Sequence, residues 1–182
     1  TAWSLKHKLM QVMKEREADV ELCGRVEIDD AYLGGERPRE KGKSGRGAPG
    51  KTPFIAAVET DDDGKPQRMV LQVVTGFTSE QVKDFAQRKL NKSVDVYTDG
   101  LQCFAAVIEA GCSHTYCVSG SGRKAVENRT FKWVNTCLGN IKSALTGTYR
   151  HLDGKHAPRY LAEFQYRFNR RYDLKSMVSR LA

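Results

Sequence analysis

The chain has 182 residues, enough for one domain with a sizeable core and a small appendage. Its net charge of +8 and pI near 9.3 favour a polyanionic partner over an acidic or neutral one. No apolar run approaches membrane-spanning length and no secretory signal is visible. The five cysteines, Cys23, Cys103, Cys112, Cys117 and Cys137, include no CxxC pair; they argue for a reducing compartment and against a disulfide framework or a zinc ribbon within this chain.

The positive charge is segregated. Residues 36–52 sum to +4, 119–151 to +5 and 152–182 to +4, while 53–118 sum to −3 and 1–35 to −2. Basic flanks around a mildly acidic middle suit a phosphate backbone held against an acidic metal site.

Along the chain, residues 2–20 carry Leu5, Leu9, Val12 and Met13 at helical spacing with lysines between, which predicts an amphipathic helix. Beyond Gly24, the alternation of Val26, Ile28 and Asp30 with Glu27, Asp29 and Ala31 predicts a first strand, with Asp29 and Asp30 facing opposite sides. Residues 34–51, rich in glycine and in Arg37, Arg39, Lys41, Lys43 and Arg46, cannot bury enough apolar surface for a core element. They read either as a flexible basic arm that orders on DNA or RNA, or as a solvated linker.

Pro53 to Glu59 and Arg68 to Val74 predict a hairpin around Asp61-Asp62-Asp63-Gly64-Lys65, whose acids read as a polar turn rather than a metal site. Thr78-Ser79-Glu80-Gln81 fits a capping box opening a helix with Val82, Phe85, Ala86 and Leu90 inward. Val94 to Gly100 forms a strand that ends on Asp99. A helix from Leu101 to Ala110 closed by Gly111, a strand from His114 to Val118, and helices over about 131–145 and 157–172 follow. In the last helix Tyr160, Leu161, Phe164 and Phe168 share one face and are expected to be buried.

The resulting order, β-β-β-α-β-α-β-α with an N-terminal helix and additional C-terminal helices, is that of an α/β, ribonuclease-H-like mixed sheet. In that arrangement the first and fourth strands are central neighbours, so Asp29 and Asp99 meet. A metal site there needs a third ligand from the late helix. Asn135 and Lys142 are seven residues apart, two helical turns, and project from one face. An Asn oxygen coordinates a hard cation without adding charge. Glu127, just before that helix, is the rival third ligand. His114 is expected to be a core or strand histidine, because two-metal chemistry needs no histidine base.

At these residues the chain resembles bacterial insertion-sequence transposases of the IS1595 family, the ISXO2-like group. The resemblance rests on Val26 to Gly35, Tyr97-Thr98-Asp99-Gly100, Phe131 to Lys142, Gly147-Thr148-Tyr149 and Arg159 to Arg171, and extends over essentially the whole chain. Arg150 departs from the His expected in many members. The resemblance implies a DNA transposase with a catalytic set of two aspartates, an Asn or Glu and a lysine, here Asp29, Asp99, Asn135 and Lys142. Asp29, Asp99 and Asn135 would hold two Mg²⁺ or Mn²⁺ ions, and Lys142 would meet the transposon-end phosphate. Double-stranded DNA, as transposon ends and target, is the implied partner. Arg37, Arg39, Lys41, Lys43, Arg46, Lys142, Arg167, Arg170 and Arg171 are candidate contacts, with His156 and Arg159 beside them.

Residues 1–20 then read as the end of an upstream DNA-binding segment and 21–182 as the catalytic domain. The expected setting is the bacterial cytoplasm, at the nucleoid and away from membranes, and analogy with other members of this fold suggests a homodimer or higher multimer on DNA. Two other readings stay open: a catalytically inactive or domesticated DNA-binding relative, and a ribonuclease-H-like nuclease without strand transfer.

Overall fold

The structure is a computed structural model and describes residues 1–34, 51–117, 131–149 and 153–181. It is a mixed α/β protein built on one five-stranded mixed sheet. Its elements in chain order are α1 (Ala2–Arg16), β1 (Arg25–Leu33), β2 (Thr52–Thr60), β3 (Pro66–Val73), α2 (Ser79–Lys89), β4 (Asp95–Thr98), a 3₁₀ helix (Gln102–Ala110), β5 (Ser113–Tyr116), α3 (Lys132–Ala144), a π-helical turn (Leu145–Tyr149), a short 3₁₀ turn (Gly154–His156), α4 (Ala157–Asn169) and α5 (Leu174–Ser179).

The strands lie in the order β3-β2-β1-β4-β5. Antiparallel pairing joins β1 to β2 and β2 to β3, and parallel pairing joins β1 to β4 and β4 to β5. The central strand is covered on both faces. Val26 and Ile28 of β1 join Ile55, Ala57, Phe85, Val96 and Phe104 in one core beneath α2 and the 3₁₀ helix. Ala31 and Leu33 join Phe54, Ala56, Val58, Val134, Leu138 and Leu161 in the other, beneath α3 and α4. This arrangement is compatible with a ribonuclease-H-like fold.

Local chemistry sets the element ends. The Thr78 hydroxyl caps α2 by accepting from the Gln81 N–H at 3.3 Å. Gly111 closes the 3₁₀ helix in the left-handed region, at φ 90°, as a C-cap glycine does. That segment was expected as a helix, and its nine residues are long for 3₁₀ geometry. In the β2–β3 turn, Asp61 accepts from the Lys65 N–H at 2.7 Å and from Gln67 at 2.6 Å, the polar-turn role anticipated for it.

The structure turns α1 differently from its apolar pattern. Leu5 is 61% and Leu9 40% exposed, while His7 and Met10 are buried. The reason is the surface that α1 covers. It runs along α4, whose contacting side offers Tyr160 and polar side chains: the His7 ring packs edge-on against Tyr160, and Arg159 reaches Gln11. At the other end of α1, buried Glu17 accepts from Gln165 at 3.1 Å and Asn169 at 2.7 Å, and pairs with Arg170.

This polar network also closes the sheet. β3 is an edge strand, and α4 lies across it. Gln165 accepts from the Leu71 N–H at 2.9 Å; Asn169 accepts from the Met69 N–H at 2.7 Å and donates to the Met69 carbonyl at 3.0 Å. Four residues of helix rise about 6 Å and two of strand about 6.8 Å. Residues four apart on α4 therefore match backbone groups two apart on β3, and they fill positions that another strand would otherwise take.

The buried face of α4 includes the expected Tyr160 and Leu161, with Phe164 and Phe168 partly buried, but Ala162, Gln165 and Tyr166 are inside as well. The five cysteines are all free thiols. No helix among the described residues is long and apolar enough to cross a membrane.

Candidate active site

Strand register brings the two aspartates together. Ile28 of β1 lies opposite Thr98 of β4 in the parallel pair, so Asp29 and Asp99 follow one step later on neighbouring strands. β4 ends there. The Asp99 carboxylate accepts from the Leu101 N–H at 3.1 Å, and Gly100 takes the left-handed φ of 88° that lets the chain turn away. Thr98, fully buried, accepts from the Gly100 N–H at 3.4 Å and lies 2.9 Å from Nε2 of His114. His114 is thus a half-buried strand residue supporting the turn, and its pKa is lowered by burial.

Asp30 joins them, contrary to the expectation that it points away from Asp29. The backbone does alternate, since Ile28 and Ala31 enter opposite cores. The Asp29 carboxylate, however, folds back along the strand to accept the Asp30 N–H at 2.8 Å. One carboxylate oxygen from each of Asp29, Asp30 and Asp99 then lies within 4.8 Å of the others. No other His, Cys, Asp or Glu cluster among the described residues has this geometry.

The electrostatics are those of a cation site. Asp29 has its pKa pushed up to about 7, first by burial and then by the charges of Asp99 and Asp30; the Asp30 N–H and the Lys142 ammonium oppose the rise. Three hard oxygen donors and this excess of negative charge fit Mg²⁺ or Mn²⁺.

Lys142 and Asn135 both lie on α3, exposed, flanking the buried stripe of Val134, Leu138 and Ile141. Lys142 is close enough to Asp29 to influence its ionisation. The helix is tied to β1 by Glu27, which is 1% exposed and accepts from the N–H groups of Trp133 at 2.9 Å and Val134 at 3.0 Å. Neither Asp30 nor Glu27 stood out in the sequence. Only the fold shows that an acid two residues before Asp29 caps a helix 106 positions away.

Of the basic candidates, Arg167 has a side chain 62% exposed, with Glu163 at 3.7 Å. Arg170 and Arg171 are engaged internally. Arg170 pairs with Glu17 and stacks over Tyr166, and Arg171 donates to the carbonyls of Pro66, Gln67 and Phe168. Their donors hold α4 to α1 and to β3, so the exposed arginine of the three is Arg167. Arg37, Arg39, Lys41, Lys43, Arg46, Glu127 and Arg150 lie outside the described residues. Tyr149 closes the π-helical turn; it donates to Glu163 at 2.6 Å and carries the Lys6 ammonium 3.8 Å above its ring.

The fold and the carboxylate cluster define a mixed α/β protein with a candidate divalent-metal centre. Residues 21–169 match the ISXO2-like transposase domain of the IS1595 type, and the chain belongs to that family. No curated protein matches the chain. The family supports a function of transposase type, and its members normally use divalent metals.

Proposed function

We propose that the chain is an insertion-sequence DNA transposase that cleaves transposon ends and joins them to target DNA at the Asp29–Asp99 site. The observation that carries this reading is the meeting of two aspartates on adjacent parallel strands, Asp29 within β1 and Asp99 just past the end of β4, in a chain of this family. The strand order, with β1 flanked by an antiparallel and a parallel neighbour, supports a ribonuclease-H-like catalytic domain over residues 21–182.

Divalent cations bound here supply Lewis-acid activation of water or a 3′-hydroxyl and stabilise the leaving oxygen. Asp29 and Asp99 are the principal ligands. Asn135 offers a neutral oxygen from the same face of α3 as Lys142, and Asp30 offers a third carboxylate. Lys142, beside Asp29, meets the phosphate of the transposon end and counters its charge as the backbone enters an acidic site. Arg167 and the basic residues of 36–52 hold the flanking duplex.

The test is cleavage and joining of a duplex carrying the terminal repeat from the gene's own flank. Asp29→Ala and Asp99→Ala are each expected to abolish both steps while binding DNA within about threefold of wild type, since phosphate contacts away from the metal dominate affinity. Retained activity in either variant contradicts the assignment.

A further inference from the structure

We propose that Glu27 is a positioning residue for the catalytic centre, setting the register of α3, and with it Asn135 and Lys142, against the strand that carries Asp29. The inference rests on the transposase reading and deepens it. Glu27 and Asp29 lie on the same face of β1, about 6.8 Å apart along the strand. One Glu27 oxygen accepts the Trp133 and Val134 N–H groups at 2.9 and 3.0 Å; the other accepts from Arg25 at 2.9 Å. The next residue along α3 after Val134 is Asn135, and Lys142 follows two turns later on the same side.

A helix start can be capped locally by Ser, Thr, Asp or Asn. Here the N-cap position is Phe131, which makes no side-chain cap, and the cap comes from a central strand instead. Burying a carboxylate for this purpose carries a desolvation cost that a solvent-exposed local cap avoids. What the long-range cap adds is a fixed distance. Two hydrogen bonds to successive amides pin the first turn of α3 over β1, one residue from the proposed third ligand and two strand positions from the first. A displacement of the order of 1 Å at such a ligand costs about a hundredfold in rate.

The experiment compares wild type, Glu27→Gln, Asn135→Ala and the double variant in the full chain, reading end binding, strand transfer and Mn²⁺ affinity by calorimetry. Glu27→Gln keeps the shape but removes the charge and leaves one acceptor oxygen: turned to α3, it sets its NH₂ against the Arg25 guanidinium, and turned to Arg25, it leaves the Trp133 and Val134 amides without an acceptor, so the tie is weakened in either orientation. The expected result is end binding within about threefold, strand transfer lowered by about tenfold or more, and weaker Mn²⁺ binding. In the Asn135→Ala background, Glu27→Gln should cost clearly less than it costs alone, because the part of its effect carried through Asn135 is already lost. Losses that multiply in full across the two sites would overturn the proposal.

Glu27→Gln/Lys132→Asp separates register from helix stability. It returns an acid to the first turn of α3 from the solvent side, which supports the helix electrostatically without the tie to β1. Transfer should stay low in this variant, and recovery to the wild-type rate would mean that Glu27 only stabilises the helix. If wild type itself joins no ends, the transposase reading falls, and Mn²⁺ affinity still decides: equal affinity in wild type and Glu27→Gln overturns the positioning role.

Discussion

Asp29 occupies an electrostatically strained position, half-buried on the central strand with two further carboxylates beside it. Its pKa of about 7, against an ordinary 3.8, means that the metal-free folded state holds a proton that the unfolded chain has released. Between those values the folded state binds more protons, so this residue's contribution is fully present below the unfolded pKa and is lost as pH rises through 7. Asp29→Asn removes the titration. At pH 8 without metal, the variant should therefore be more stable than wild type, by about 2 to 4 kcal/mol. Saturating Mg²⁺ should stabilise wild type more than the variant, which keeps Asp30 and Asp99 but loses one ligand charge. Thermal melts at pH 5 and pH 8, with and without Mg²⁺, check both statements; a wild type as stable as the variant at pH 8 without metal would show that the carboxylate is not under this stress.

The same residue shows what the sequence made legible. Asp29 and Asp99 could be found because each goes with a β-prone run, although β1 continues past Asp29 to Leu33, and Asp99 is followed by a glycine that lets the chain turn. Asp30 was hidden by a correct rule applied too simply. Strand alternation does send successive side chains to opposite faces, but the bond from the Asp30 amide to the Asp29 carboxylate draws the two acids together.

At the scale of elements, strands and helices are fixed by local pattern, whereas the way they attach depends on their apolar faces together with long-range polar bonds. α1 illustrates the difference. Its helical periodicity was plain, yet its inward side is His7 and Met10, because the surface it meets on α4 is aromatic and polar. The attachment of α4 to β3 is likewise invisible in one dimension. Gln165 and Asn169 become edge-strand partners only once the helix lies across β3. Asn169→Ala removes the side-chain partner of the Met69 amide and carbonyl and leaves Glu17 Oε2 with Gln165 alone, and should lower stability by about 2 to 3 kcal/mol. Denaturant unfolding measures this directly. A change below about 0.5 kcal/mol, the usual range for an exposed substitution, would show that the edge is satisfied by other means.

Across the whole molecule, the proposed function gives the basic flanks and the acidic centre separate tasks. A net charge of +8 would draw the chain to DNA without selecting a sequence, while the carboxylates would need cations before they could approach a phosphate. Lys142 belongs to both, standing near Asp29 and facing outward from α3. Lys142→Ala should weaken binding of end DNA and reduce the slope of log affinity against log salt by about one. A salt slope equal to wild type would mean that Lys142 does not contact phosphate.

The most direct test of the account is strand transfer of a pre-cleaved end oligonucleotide into plasmid, in Mg²⁺ or Mn²⁺, with wild type and Asp99→Ala side by side. Wild type is expected to give joined product; Asp99→Ala, and wild type in the presence of chelator, are expected to give none. Joining by Asp99→Ala at the wild-type rate would contradict the site, and DNA binding by wild type without any joining would contradict the transposase reading.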